Sequence, residues 1–243
     1  MQTFFKRREK KYLITREQGA ALQELIAQRM KIDQYGEYLV QNLYYDTDNW
    51  DIIRKSIEKP FYKEKLRLRL YGQNKTDSQC YLELKKKLDG TTYKRRITIP
   101  MNELNNGGIS EIVSAHDSQV SREIEFFLGN RTVSEKIYIA FKRIAYTCEE
   151  DRNLRITFDR EILFSLCSRE NLNFNYCDPN NGIRILSSNQ SLMEIKTTGA
   201  MPLWLTRILS ENKIFACSFS KYGVCYAKFI FKKHGFGDDK NAA

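Results

Sequence analysis

Along much of this chain, apolar and charged residues alternate one by one. In 65-KLRLRLYG-72, Leu66, Leu68 and Leu70 fall on one side and Lys65, Arg67 and Arg69 on the other. A period of two predicts a β-strand with one apolar and one polar face. Further strands are predicted over 4–14, 40–47, 79–88, 91–100, 137–150, 153–164, 183–187 and 191–199. Helical spacing takes over after Thr15, which can cap a helix with Glu17 and Gln18 in its first turn, and where Leu22, Leu25 and Ile26 make an apolar stripe. Helices are also predicted over 49–59, ended by Pro60, and over 121–130, 202–212 and 218–231; 101–136 reads as mixed, and 168–182 as loop.

Asp89-Gly90 sits between two alternating runs, a strong signal for a two-residue hairpin. That turn pairs Leu88 with Thr91, Lys85 with Lys94, Glu83 with Arg96 and Tyr81 with Thr98, and opposed residues share a face. One face then carries Tyr81, Glu83, Lys85, Lys87, Lys94, Arg96 and Thr98. The other carries Leu82, Leu84, Leu88, Tyr93, Ile97 and Ile99, interrupted by Lys86 and Arg95. The same split recurs where Arg155, Thr157 and Asp159 oppose Leu154, Ile156 and Phe158, and where Glu194 and Lys196 oppose Met193 and Ile195. Arg7, Glu9 and Lys11 share a parity in the first strand.

Two architectures fit this pattern. An antiparallel sheet can rest its apolar face on helices and leave the charged face in water. Alternatively, about eight strands can close into a barrel with the charges inside and helices on the apolar outside. An interior lined by Arg7, Lys11, Arg67, Arg69, Lys85, Lys87, Lys94, Arg96 and Arg155 would need anionic company, and a chain of phosphates would supply it. Glu9, Glu83 and Glu194 could pair with those cations or hold a hard divalent metal through oxygen.

Composition narrows the classes. The 243 residues carry a formal charge of +10, which points to an anionic partner. Six scattered cysteines and two histidines argue against a structural zinc site and a disulfide framework. No apolar run is long enough for a membrane span, the N-terminal stretch lacks a signal-peptide core, and the expected compartment is the cytoplasm. A nucleic-acid binder should cluster its basic residues with aromatics on an open platform, which this chain does not do. No composition shift divides the chain, so one domain is expected over 1–233, with a polar tail over 234–243.

The ordered set 9-EKKY-12, 67-RLR-69, 83-ELK-85, 155-RITFD-159, 194-EIK-196 and 220-SKYG-223 resembles the VTC domain, the catalytic domain of vacuolar transporter chaperone-type polyphosphate polymerases and their bacterial relatives. The family belongs to the triphosphate tunnel (CYTH-like) superfamily. The resemblance implies an α+β fold built on an eight-stranded antiparallel barrel with helices outside. It implies transfer of the γ-phosphate of ATP to a growing polyphosphate chain, with manganese or magnesium as cofactor. By motif, Lys11, Arg67, Arg69, Lys85 and Arg155 would hold the reacting phosphates. Arg7, Lys87, Lys94, Arg96, Lys196, Ser220 and Lys221 would assist with the chain, and Glu194 would be the metal ligand, with Glu9 and Glu83 as further carboxylates. ATP and polyphosphate are the implied partners. The alternatives are a tunnel-type triphosphatase and a non-catalytic polyphosphate-binding module. Tunnel hydrolases and cyclases typically open with E-x-E-x-K. Here Arg7 stands at the first acid, which disfavours placing a hydrolytic water and favours holding an anionic acceptor.

Overall fold

In the computed structural model, which describes residues 8–73, 77–89, 91–104, 107–167 and 182–231, the alternating runs form strands and the helical runs pack on their apolar sides. Strand β1 (Arg8–Thr15) passes directly into helix α1 (Arg16–Ala27). The Thr15 hydroxyl accepts from the Gln18 backbone N–H, and the Gln18 side chain accepts from the Thr15 N–H, closing the capping box. Strand β2 (Lys31–Asp46) starts well before the predicted 40–47. Its polar first half hides it from periodicity, and Gly36, at φ +60°, lies within a register shift between Ile32 and Glu37. Helix α2 (Asp51–Ile57) is anchored by the buried Asp46 carboxylate, which accepts from the N–H groups of Ile52 and Ile53 at 2.9 and 3.0 Å.

Strands β3 (Tyr62–Tyr71), β4 (Gln79–Leu88) and β5 (Thr91–Pro100) form a meander, and the β4–β5 register is the one the Asp89-Gly90 turn predicts. Asp89 takes φ +42°, as a type I′ turn requires; Gly90 lies outside the described residues. The mixed segment resolves into α3 (Met101–Leu104), α4 (Ile109–Ser114) and α5 (Gln119–Gly129). After these come β6 (Ser134–Thr147), β7 (Arg155–Leu166), the two-residue β8 (Ile183–Arg184), β9 (Gln190–Thr197), α6 (Leu203–Glu211) and α7 (Lys221–Cys225). The predicted helix over 218–231 begins only at Lys221, and it continues as a π-helical turn over Tyr226–Ile230. Arg7, the loop residues 168–181 and the tail 234–243 lie outside the described residues.

The strands make one nine-stranded antiparallel sheet in the order β1-β9-β7-β6-β2-β3-β4-β5, with β8 added on β7. This corrects the expectation of an eight-stranded closed barrel. Among the described residues no ladder joins β1 to β5, so the hydrogen-bonded ring stays open. The outer edge of β1 is met instead by the segment before α7: Cys217 N–H donates to the Lys11 carbonyl at 2.8 Å. The sheet nevertheless curls, and β1 lines the same cleft as β3, β4 and β5.

Apolar residues pack in three clusters. Leu66, Leu68, Leu70, Leu82 and Leu84 lie on the convex side beneath α4 and α5. Lys86 and Arg95 interrupt that face, and both pair with Glu123 of α5, at 2.8 and 3.0 Å. Tyr12, Ile156, Met193 and Ile195 face α1 and α6. The third cluster lies on the concave side, where Ile139, Phe141, Ile162 and Leu192 pack against Tyr222, Tyr226 and Ile230. The C-terminal helix thereby fills the apolar part of the curl and leaves the rest to charge. No described helix is long and apolar enough to cross a membrane.

Leu68 is buried beneath the helices. Leu68→Ala should lower the unfolding free energy by about 2–5 kcal/mol in a urea titration. A loss well under about 1 kcal/mol would mean that this face is in water.

Candidate functional site

The charged side of each strand turns into the curl, and three buried carboxylates organise it. Glu83 of β4 is only 1% exposed. It meets Arg67 of β3 at 2.8 Å, Lys94 and Arg96 of β5 at 2.5 and 2.9 Å, and Arg69 at 3.9 Å. Burial pushes the Glu83 carboxyl up, but Arg67, Arg69 and Lys94 outweigh it and hold the group far below the usual range. The two arginines are fixed further. Arg67 donates to the Tyr44 hydroxyl at 3.2 Å, and Arg69 donates to the Asn42 side-chain oxygen at 2.9 Å.

Asp159 of β7 is fully buried and takes a two-pronged bond from Arg143 of β6, at 2.6 and 2.7 Å. Lys221, the first residue of α7, reaches the same carboxylate at 2.6 Å. Glu194 of β9 lies within 3.6–3.8 Å of Lys11, Lys196 and Lys221. These cations overcome burial and keep Glu194 well below its usual value. Glu9 lies 3.3 Å from Lys11. Burial and Glu194 raise Glu9, while Lys85, Lys11 and Lys196 outweigh them and hold it below its usual value; Glu9 and Lys85 line the same cleft from β1 and β4.

The 220-SKYG-223 turn places four groups at once. The Ser220 hydroxyl caps α7 by accepting from Gly223 N–H, and it also accepts from Lys65 Nζ at 3.4 Å. Lys221 turns inward to Asp159. Tyr222 donates to Asp46 at 2.7 Å, tying α7 to α2. At Gly223 an added Cβ would stand 3.3 Å from the Ser220 Cβ, a tight approach.

The structure thus brings together Lys11, Arg67, Arg69, Lys85, Lys94, Arg96, Lys196, Ser220 and Lys221 on one concave surface. Lys94 and Arg96 both reach Glu83 from β5. Arg155 sits at the rim with its side chain 44% exposed, beside Asp33 and the Tyr38 hydroxyl. Glu83, ringed by four cations, is a structural counter-ion, whereas Glu9 and Glu194 flank Lys11 as a pair. Among the described residues no group of three or more His, Cys, Asp or Glu is arranged for a metal. One buried side-chain oxygen without a partner does stand beside that pair: Thr157 Oγ1, directly opposite Glu194 in the β7–β9 ladder.

Sequence reasoning missed Arg143, Asn42 and Tyr44, because their parity in β2 and β6 is shared with apolar residues such as Val40, Ile139 and Phe141. A strand whose inner face is half core and half site carries no alternation to read. Lys63 and Lys65 share the parity of Arg67 and Arg69 but lie outside the family motif 67-RLR-69. The cleft these residues border has a volume of about 1260 Å³ and is also lined by Lys59, Lys85 and Lys87. Burial, followed by repulsion from Lys63, Lys85, Lys11 and Arg67, drops Lys65 from 10.5 to about 7.

Fold and site together define a curled antiparallel sheet whose concave face gathers cations around three buried carboxylates. The VTC domain family model matches residues 6–230, and the chain belongs to that polyphosphate-related family. Among solved structures, the protein PH1819 from Pyrococcus horikoshii OT3 superposes with a TM-score of 0.50 at 14% identity, covering 91% of this chain and 99% of that one. A Vibrio parahaemolyticus protein described as a "putative adenylate cyclase" gives 0.48 at 10% identity, covering 91% and 98%. At such identities the likeness concerns the fold alone. A search of curated proteins returned no match.

Lys65 predicts a stability signature. The unfolded chain binds a proton on this lysine up to about pH 10.5 and the folded chain only up to about 7, so stability rises with pH between those values and is flat below. Lys65→Met should therefore stabilise the fold by about 1–3 kcal/mol at pH 7, with the gain shrinking towards pH 10. Thermal melts across that range check it; a destabilised variant at pH 7 would contradict the placement of Lys65 among cations.

Proposed function

We propose that this protein is an ATP-dependent polyphosphate polymerase working in the cytoplasm through a single catalytic domain over 1–233. A terminal oxygen of the polyphosphate acceptor bonds to the γ-phosphorus of ATP, the bond from that phosphorus to the β-phosphate oxygen breaks, and ADP leaves with the electron pair. The observation that carries this reading is the concave surface on which the cations of the family motifs converge, with no histidine among its described residues. Phosphoryl transfer needs alignment and charge neutralisation more than covalent help, and a terminal phosphate oxygen is already ionised, so no strong base is required.

Each residue has a part in that scheme. Lys11, Arg67, Arg69, Lys85 and Arg155 grip the reacting phosphates, the arginines through their planar forks. Lys87, Lys94, Arg96, Lys196 and Lys221 extend the positive surface, with Arg7 assigned by motif, and Ser220 offers a hydroxyl. Glu83 and Asp159 hold the cations in place until phosphate oxygens share them. Manganese or magnesium fits the oxygen donors at Glu194, Glu9 and the unpartnered Thr157 hydroxyl. Such an ion would offset charge on the transferring phosphates and help align them.

Purified protein with ATP and manganese should yield a ladder of long chains on a polyphosphate gel. Orthophosphate alone would favour the triphosphatase reading, and absence of turnover the binding module. Arg69→Ala should abolish chain synthesis while keeping the fold, since Glu83 retains Arg67, Lys94 and Arg96. Circular dichroism beside the gel assay checks both halves, and wild-type synthesis by this variant would refute the assigned site.

A further inference from the structure

One amine of the cleft has no part in the phosphoryl-transfer scheme: Lys65 of β3. It is half-buried and lines the cleft beside Lys63, Lys85 and Ser220. Its Nζ donates to the Ser220 hydroxyl at 3.4 Å and stands 5.7 Å from the centre of the Tyr222 ring. Lys85 is directly opposite in the β3–β4 ladder, and Lys63 precedes Lys65 by one strand repeat on the same face. The Lys65 environment differs from that of its neighbours. Arg67 is paired with Glu83 and Lys11 with Glu9 and Glu194, while both Glu9 and Glu194 act on Lys85 against its burial. Among the described residues no carboxylate pairs with Lys65.

A lysine becomes a nucleophile when it is desolvated beside other cationic groups. Burial, then Lys63, Lys85, Lys11 and Arg67, all act on Lys65 in that one direction and bring it from 10.5 to about 7. Near pH 7 about half of this side chain is therefore free amine, against roughly one part in three thousand for an ordinary lysine. The neighbouring cations also define the electrophile. Lys63 and Lys85 stand one strand repeat and one ladder rung away, roughly 6.7 and 5 Å between side-chain origins. An anion bridging them rests beside the Lys65 nitrogen, and phosphate oxygens suit such ammonium point charges. A compound whose phosphate sits directly on a carbonyl carbon would present that carbon to the amine.

We propose that Lys65 is an acylation site, modified by acyl phosphates that the cleft binds through their phosphate group. The Lys65 nitrogen bonds to the carbonyl carbon, the bond from that carbon to the bridging phosphate oxygen breaks, and inorganic phosphate leaves with the electron pair. The surplus proton on nitrogen passes to phosphate or water, and a neutral amide remains. Acylation relieves the repulsion around Lys65 and takes one positive charge from the cleft. The modification stands apart from the polymerase reading, because it needs only the cleft, its cations and a free amine.

Incubation of the full chain with acetyl phosphate, followed over time by peptide mass spectrometry, tests the site. At about pH 7.5 Lys65 should be acetylated at least about tenfold faster than the exposed Lys55 and Lys213. Its rate should climb between about pH 6 and 8 and then level off, whereas that of free Nα-acetyllysine keeps rising towards about pH 10. Excess inorganic phosphate should slow Lys65 severalfold and leave Lys55 and Lys213 unchanged, against sodium chloride of equal ionic strength. In Lys63→Ala, shown to be folded by a thermal melt, the Lys65 midpoint should move up and phosphate should protect less, since one repelling and phosphate-holding cation is gone. Four results would each overturn the site: Lys65 no faster than Lys55 and Lys213, a rate that does not level off below about pH 9, no protection by phosphate, or a Lys63→Ala profile identical to wild type.

Discussion

The repulsion among cations on one side of a curled sheet is the constraint on which the rest of this structure depends. Two such charges at 4 Å repel by about 4 kcal/mol in surroundings of intermediate polarity. Glu83, Asp159 and Glu194 answer that repulsion, each buried and each shared by several cations. The carboxylates work as hubs and not as isolated pairs. Removing a hub carboxylate would leave several cations uncompensated, which costs far more than an exposed salt bridge contributes.

The apolar half of the molecule follows from the same arrangement. With charge on the concave side, the leucines of β3 and β4 must find cover outside, and α4 and α5 supply it. Where the convex face carries a cation, α5 carries Glu123 to meet it. Inside, the C-terminal helix fills the portion of the curl that lacks charge, and its first residues bring Ser220 and Lys221 into the site. Core and site are therefore two ends of one surface, joined at Phe141, against which Lys221 and Arg143 both lie. At the start of β3 and the end of β4, lysines stand opposite lysines, Lys63 against Lys87 and Lys65 against Lys85.

What could be read in advance depended on locality. The β4–β5 register rested on one two-residue turn, and the pairings of Glu83 with Arg96 and Lys85 with Lys94 came out as predicted. Lys86 and Arg95 looked like defects in the apolar face because their partner lies on α5, reached only through tertiary packing. Arg143 escaped notice because its neighbours in parity are core residues. The barrel closure failed for a related reason: the edge of β1 is met by Cys217, some two hundred residues away, and no pattern within β1 names its neighbour.

The sequence by itself determined which side chains share a face, because the period of a strand is two whatever the strand packs against. It also determined that one face is cationic, and the order of its motifs pointed to the family. Only the tertiary structure decided which cations are paired with a carboxylate, since the distance from each lysine or arginine to a carboxylate depends on how strands are ordered and how far the sheet curls. That ordering gave Glu83 four partners and left Lys63, Lys65, Lys85 and Lys87 facing one another.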